Sequence, residues 1–269
     1  MLPQLIKIGD FFIPTYGVLV TLGFLAGLWV VARLALRSGL NREAVLNLGI
    51  YCALAGILGA KLLMFILDFN YYRQNPREIF SFSTLQAGGV FQGGLVLALV
   101  TAFIYMRKVK LPGLLTADVL APGVALGHAI GRLGCFSAGC CWGLECHRFW
   151  AVTFTNPVAN QLFGTPLNVP LHPAQLYEAG AEALTFIILF TRFRRPHRAG
   201  AVLGLYLVLY SSVRFVVEFL RFHDQANPFG GPLSSPQWIA LATFLLGAWL
   251  LARKSTKSNH YSASKMPLS

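Results

Sequence analysis

Gly131-Arg132-Leu133-Gly134-Cys135-Phe136-Ser137-Ala138-Gly139-Cys140-Cys141-Trp142-Gly143 closes an apolar segment that begins near Leu114. Coming straight after that segment, the stretch puts an arginine, three thiols and four glycines at or beside a membrane boundary. Ionisable groups in or next to a span are costly and usually have a task. Glycines permit close backbone approach and sharp turns. The stretch therefore argues for an intramembrane site, and the rest of the chain agrees that there is a membrane.

Of 269 residues, 55% are hydrophobic and 12% charged, with a mean hydropathy of +0.59. A soluble domain carries about 25% charged residues. The net charge of +12 does not point to nucleic acid, because the basic residues sit in short clusters between apolar runs, where they orient helices and meet anionic headgroups. Met1 to Pro14, with Lys7 and Asp10, lacks the pattern of a cleavable signal peptide and reads as an interfacial segment.

A bilayer-crossing helix needs about 20 residues. Seven segments qualify: Tyr16–Ala35, Val45–Leu67, Gly88–Met106, Leu114–Leu133, Pro173–Phe190, Ala201–Leu220 and Gln237–Ala252. Arg33, Arg37 and Arg42 fill the first connection, Arg107, Lys108 and Lys110 the third, and Arg192, Arg194, Arg195 and Arg198 the fifth. Arg253, Lys254 and Lys257 follow the last span. The positive-inside rule then puts the N-terminus outside and the C-terminus in the cytoplasm. The expected fold is an all-α polytopic membrane protein with seven transmembrane helices and a small extracytoplasmic head. The expected divisions are an interfacial segment (1–15), four spans (16–133), the head (134–172), three spans (173–253) and a polar, mobile tail (254–269). In the head, Asn156-Pro157 and Pro166 to Pro170 read as turns and Trp150–Phe154 as a short strand. No internal repeat suggests a transporter's inverted halves.

Polar residues break the apolar pattern at a few places: Tyr16, Phe91-Gln92-Gly93-Gly94, Arg132 with its glycine–cysteine extension, Leu171 to Glu178, and Arg214 with Glu218. The last two are four apart on one helical face and able to pair. By the assigned topology nearly all lie toward the extracytoplasmic half. Gly93 and Gly94 are not a phosphate-binding loop, since no Gly-Lys-Ser/Thr follows; they bring helices or substrate close. His128, in apolar surroundings, reads as a packed core residue unless space supplies it with a partner.

These elements carry a family resemblance that covers nearly the whole chain in unbroken order. Gly131-Arg132-Leu133-Gly134-x-Phe136 with Trp142-Gly143 resembles the signature of the prolipoprotein diacylglyceryl transferases. Gln92-Gly93-Gly94-Leu95 is similar to that family's His-Gly-Gly-Leu element, and His172-Pro173-Ala174-Gln175-Leu176-Tyr177-Glu178 to its His-Pro-Ser/Ala-Gln-Leu-Tyr-Glu segment. Arg214-Phe215-Val216-Val217-Glu218-Phe219 resembles its Arg-x-x-x-Glu-Phe element, and Tyr16-Gly17 its early Tyr-Gly. The resemblance implies an inner-membrane enzyme that moves the diacylglyceryl group of phosphatidylglycerol onto the lipobox cysteine thiol of a prolipoprotein signal peptide. The products are a thioether and glycerol phosphate. It implies no metal, nucleotide or redox cofactor, and partners limited to lipid and prolipoprotein.

On this reading Arg132 and Arg214 hold the phosphate and leaving group, because a guanidinium fork matches phosphate oxygens and stays charged. Gln92 and His172 complete the catalytic set. Tyr16, Gly93, Gly94, Gly134, Gln175, Tyr177, Glu178 and Glu218 surround the substrate. Gln92 stands where the family has histidine, and glutamine has no useful proton-accepting nitrogen; His172 is the alternative base. Many relatives carry asparagine at Cys135 and glutamate at Cys140, which leaves Arg132 without an assigned acidic partner; Glu145 is a substitute within reach in sequence. Cys135, Cys140, Cys141 and Cys146 are open to three readings: packed thiols, one or two disulfides, or four zinc thiolates, for which the spacing lacks Cys-x-x-Cys knuckles. Cys52 reads as packing. Three rival functions stay open: a phospholipid headgroup transferase with another acceptor, a transporter, and a lipoprotein-binding membrane protein without catalysis.

Overall fold

The computed structural model describes residues 2–8, 11–81, 84, 88–222, 228–253 and 260–261. The polar tail expected from Lys254 lies mostly outside them, as does Asp10. The chain divides into two compact units, Met1–Ser38 with Ala117–Ser269, and Gly39–Thr116.

The first unit opens with an antiparallel hairpin, β1 (Gln4–Ile8) and β2 (Phe11–Pro14), where the sequence suggested only an interfacial segment. Helix α1 (Thr15–Arg37) follows. The second unit holds α2 (Arg42–Leu67), the short α3 (Phe69–Gln74), a 3-10 turn at Pro76–Phe80 and α4 (Phe91–Lys108). Helix α5 (Gly113–Ala138) begins there and runs into the first unit. After it come β3 (Val152–Thr153), α6 (Pro157–Phe163), β4 (Pro170–Leu171), α7 (Ala174–Phe193), β5 (His197–Arg198), α8 (Ala201–Glu218) and α9 (Ser235–Ala252). Strand β6 (His260–Tyr261) pairs back on β5.

All seven expected long helices are present. Five of them, α1, α2, α5, α8 and α9, are long and apolar enough to cross a membrane. Many of their large side chains stay exposed, among them Ile57 at 65% and Leu245 at 68%, an outer surface that suits lipid rather than water. Arg33 lies over the Trp29 ring, Arg107 over Phe103 and Arg253 over Trp249. These cation–π pairs sit at the C-terminal ends of α1, α4 and α9, the kind of anchor found at a headgroup level.

Glycine pairs set the close crossings. In the first unit a Cβ on Gly27 would lie 2.7 Å from the Gly123 carbonyl oxygen, and one on Gly123 equally close to that of Gly27. With Gly23 and Gly127 this is a small-xxx-small seam on both α1 and α5. Gly204 and Gly247 do the same for α8 and α9. In the second unit Gly94 faces Gly56, where a Cβ would lie 2.6 Å from the opposing carbonyl oxygen, and a Cβ on Gly93 would collide with the Gly59 carbonyl.

Two local readings change. Asn156-Pro157 is a helix start, not a loop turn. The Asn156 side chain accepts from the Val158 N–H at 2.9 Å and Pro157 takes the first helical position, where its missing N–H costs nothing. Helix α5 also continues past the expected end at Leu133 to Ala138, so Gly134 and Cys135 are helical. The expected strand near Trp150–Phe154 is present as β3, paired with β4.

Asp118, at 0% exposure in α5, caps α8 from outside that helix. Its two carboxylate oxygens accept from the N–H groups of Gly200 and Leu203, each at 2.7 Å. Orphan donors at a helix N-terminus with the positive end of its dipole favour an anion there. His197 is buried beside it, Nε2 to Oδ2 3.9 Å.

Candidate functional site

Four segments of the first unit bring charge together. Helix α5 carries Arg132 in its penultimate turn, α7 carries Glu178, α8 ends with Arg214 and Glu218, and Arg221 follows α8. Glu178, 3% exposed, is the centre. Arg132 Nε lies 2.5 Å from its Oε2, Arg214 Nη1 3.0 Å from its Oε1, and Arg221 Nη1 3.4 Å from the same oxygen. Arg214 also reaches Glu218, Nη2 to Oε2 2.8 Å. Its fork thus joins two carboxylates on two helices. The Ser234 hydroxyl donates to Glu218 Oε1 at 3.1 Å, and the Gln237 side chain closes the α9 capping box on Ser234. The Arg214–Glu218 pair read from the sequence is therefore real, but it is one edge of a larger network.

Buried charge persists only when paired. Here three guanidiniums converge on one carboxylate, with Glu218 balancing one of them. Such a cluster presents N–H donors that a phosphate could accept from.

Arg132 also donates from Nε to His128 Nε2 at 3.1 Å, one helical turn earlier. His128 Nδ1 in turn faces Glu182 Oε2 at 3.8 Å, and its ring lies against Tyr210. His128 has the spatial partner that its surroundings in sequence did not reveal. Glu145 is not the acid beside Arg132: it is 61% exposed and pairs with His147 at 3.1 Å. The role it was given belongs to Glu178. Arg221 and Glu182 were not among the residues chosen from the sequence, and His128 was read as core unless it had a spatial partner, although a signal existed. His128 and Arg132 are i, i+4, as are Glu178 and Glu182 and Arg214 and Glu218, each pair on one helical face, and Arg221 follows three residues after Glu218.

The segment from Gly139 to Cys146 winds back over this cluster. Gly143 N–H donates to the His172 carbonyl at 3.1 Å, and Leu144 N–H to that of Leu220 at 2.8 Å. A Cβ on Gly143 would lie 2.6 Å from both carbonyl oxygens, so only glycine admits both neighbours. Gln175, 1% exposed, donates from Nε2 to the Cys140 carbonyl at 2.7 Å. His172 Nδ1 and the Tyr177 hydroxyl are 3.1 Å apart. Of the sequence-chosen residues, Gln175 and the His172 backbone thus tie down the loop, and Tyr177 holds the His172 ring. Gly134 takes up the ring of Tyr16, whose Cδ2 a Cβ would meet at 3.3 Å. Tyr16 lies within electrostatic reach of Arg132, Cys135, Cys140 and Cys141. Gln92 is exposed on α4, and Gly93 and Gly94 form the α2–α4 crossing; all three belong to the second unit.

All five cysteines are free, so the disulfide reading gives way. The sulfurs of Cys135, Cys140 and Cys141 lie within 4.8 Å of one another, and Cys146 is not part of the group. Arg132 Nη1 is 4.0 Å from the Cys135 sulfur. The Cys141 thiol is pushed down from its ordinary value, first by hydrogen bonds from Cys135 and Cys140, then by Arg221 and Arg132. Cys140, the donor in that exchange, is pushed up. An apolar cavity of about 300 Å³ lies between α8 and α9, lined by Phe215, Val216, Leu241 and Phe244 among others. Phe215 adjoins Arg214 in sequence, so α8 serves both the ionic cluster and this cavity.

A model of the prolipoprotein diacylglyceryl transferase family matches residues 3–253. The chain is 33% identical over 251 residues to the phosphatidylglycerol–prolipoprotein diacylglyceryl transferase of Clostridium tetani, covering 93% of this chain and 96% of that protein. It is 34% identical over 254 residues to the protein of the same name in Photobacterium profundum, covering 93% and 91%. The one in Vibrio atlanticus is 33% identical over 264 residues, covering 96% and 92%.

Proposed function

The chain belongs to the prolipoprotein diacylglyceryl transferase family, and from that premise we propose that it transfers the diacylglyceryl group of phosphatidylglycerol to the lipobox cysteine thiol of a prolipoprotein signal peptide. A C–S bond forms at the glyceryl carbon and the C–O bond to phosphate breaks. The electron pair goes to the phosphate oxygen, and glycerol phosphate leaves with the thiol proton. The observation that carries the reading is the convergence of Arg132, Arg214 and Arg221 on the buried Glu178.

Glu178 holds the guanidiniums before substrate arrives, so little reorganisation is needed when charge develops on the leaving phosphate. Arg132 and Arg214 supply paired donors to its oxygens, in surroundings where water competes weakly. Arg221 adds a third positive charge. Glu218 fixes the second arm of Arg214, and Gln175 with the His172–Tyr177 pair steadies the loop above. Tyr16, Gly134 and the apolar cavity along α8 serve the lipid. Gln92, Gly93 and Gly94 lie in the second unit, and a glutamine at 92 takes no part by proton transfer. His172 is the imidazole of the set.

We place seven spans in the bacterial cytoplasmic membrane, with the N-terminus and the 134–172 region outside and the C-terminus in the cytoplasm. The basic clusters at Arg33, Arg107, Arg192 and Arg253 support this.

The test is glycerol phosphate release by the purified protein given phosphatidylglycerol and a lipobox peptide, with Arg132→Ala and Arg214→Ala alongside. Peptide-dependent release with a thioether product, lost in both variants, is the expected result. Release that needs no thiol on the peptide, or lipid flux without turnover, sinks the reading in favour of another acceptor or a transporter.

A further inference from the structure

We propose that Cys135, Cys140 and Cys141 form a three-thiolate site for a divalent zinc-class ion, with its fourth position open to the acceptor thiol. The ion site stands on geometry alone; the part given to the acceptor thiol rests on the function proposed above.

Three sulfurs within 4.8 Å of one another are close to what one ion requires. Zinc–sulfur bonds of about 2.3 Å set tetrahedral ligands about 3.8 Å apart, which small side-chain rotations supply. The backbone is built for the convergence. Cys135 lies on the last turn of α5. The chain then reverses through Gly139 at φ 86° and Cys141 at φ 60°. A left-handed cysteine is uncommon and carries a conformational cost. Here it turns the Cys141 sulfur back toward the helix end. Gln175 clamps the Cys140 carbonyl, and the Gly143 and Leu144 N–H groups pin the exit of the loop. The ligands thus come from a helix end and a loop tied down on both sides.

Charge agrees. Three thiolates and one divalent cation sum to one negative charge, and Arg132, which adjoins Cys135, shares Glu178 with Arg214 and Arg221. The same guanidiniums that would repel a bare cation therefore favour the filled site. Three protein ligands with one open position is the arrangement of catalytic zinc, and a coordinated thiol is deprotonated outright. Coordination makes the thiolate without a protein base: the thiol proton passes to water and then to the departing phosphate monoester. The sulfur attacks the glyceryl carbon, and the phosphate oxygen keeps the electron pair of the broken C–O bond. Nothing is oxidised or reduced.

The experiment uses the full-length protein in detergent, loaded with Zn²⁺ for elemental analysis and with Co²⁺ for its sulfur-to-cobalt absorption. Expected are about one ion per chain and a loss of more than about tenfold in affinity for Cys135→Ser, Cys140→Ser and Cys141→Ser, with Cys52→Ser and Cys146→Ser unchanged. On the unaltered protein, a lipobox peptide should shift the cobalt bands and its cysteine-to-serine analogue should not. That readout does not depend on any variant folding. Failure of the folded wild type to take up Co²⁺, or uptake indifferent to the three substitutions, overturns the site. Full glycerol phosphate release by chelated, metal-free protein overturns the role in activating the thiol. Ion binding with the peptide-dependent shift but no glycerol phosphate release supports the site and refutes the function proposed above, so the two failures are separable.

Discussion

Replacing Glu178 with glutamine removes one charge and almost no volume from the centre of the ionic cluster. Glu178 is 3% exposed and meets Arg132 at 2.5 Å, Arg214 at 3.0 Å and Arg221 at 3.4 Å. Arg214 keeps Glu218 at 2.8 Å in the variant, whereas Arg132 is left with His128, a hydrogen-bond acceptor with no fixed negative charge. The loss therefore falls on Arg132 and on Arg221, whose carboxylate partner is Glu178. Each charge pair at such separations is worth about 4 kcal/mol at an effective dielectric of 20, and breaking a buried pair from one side costs about 3–5 kcal/mol. Thermal unfolding in detergent should show a midpoint roughly 6–20 °C lower, at about 2–4 °C per kcal/mol for a chain of this size. Below that midpoint, kcat/KM for glycerol phosphate release should fall at least about a hundredfold, since the phosphate donors are no longer held in place. Glu178→Asp keeps the charge but shortens its reach, so it should recover much of the midpoint and little of the rate. A Glu178→Gln midpoint within about 1 °C of wild type, with activity unchanged, would refute the idea that this carboxylate organises the arginines.

Arg214→Lys replaces a fork joining Glu178 and Glu218 by a single nitrogen; kcat/KM should drop at least about tenfold, as loss of a charged hydrogen bond worth about 1.5–3 kcal/mol implies, and steady-state kinetics against wild type checks it. Asp118→Asn should lower stability by about 1–2 kcal/mol and leave the rate at low temperature intact, because that side chain caps α8 through Gly200 and Leu203 and faces His197, none of them in the arginine cluster; a rate defect at an unchanged midpoint would contradict this. Gly59→Ala and Gly93→Ala should destabilise the protein to a similar degree, about 1–3 kcal/mol each, because each added methyl meets the other's carbonyl. A Gly93 variant that loses activity at a normal midpoint, beside a harmless Gly59 variant, would instead make Gly93 a substrate contact.

Much of the site was legible in the residues because its motifs are local. Arg132 and Gly134 share one turn, Arg214 and Glu218 are one turn apart, and His172 to Glu178 form one unbroken segment. What failed was partner choice. Arg132 has no carboxylate within a helical turn, and the nearest acid after it in sequence, Glu145, is exposed on the loop beside His147. Its actual partner, Glu178, comes from α7, and nothing in the spacing of the two segments announces that they meet. Glu182 and its pairing with His128 stayed hidden for the same reason. Convergence of the thiols was not legible either: Cys140 and Cys141 meet Cys135 only because Gly139 and Cys141 take left-handed backbone.

The sequence by itself determined that the chain is a membrane protein, where its long helices lie and which family it belongs to. Lipid demands runs of about 20 apolar residues, a requirement met residue by residue along the chain, so composition and order suffice to show it. Only the tertiary structure decided that three arginines share Glu178, that Asp118 caps a helix other than its own and that three of five cysteines converge. Those outcomes depend on distances of 3–5 Å between segments far apart in sequence, and electrostatic and coordinative energies fall away over a few ångströms. Packing of glycine against glycine, as at Gly27 and Gly123, sets which helices come that close.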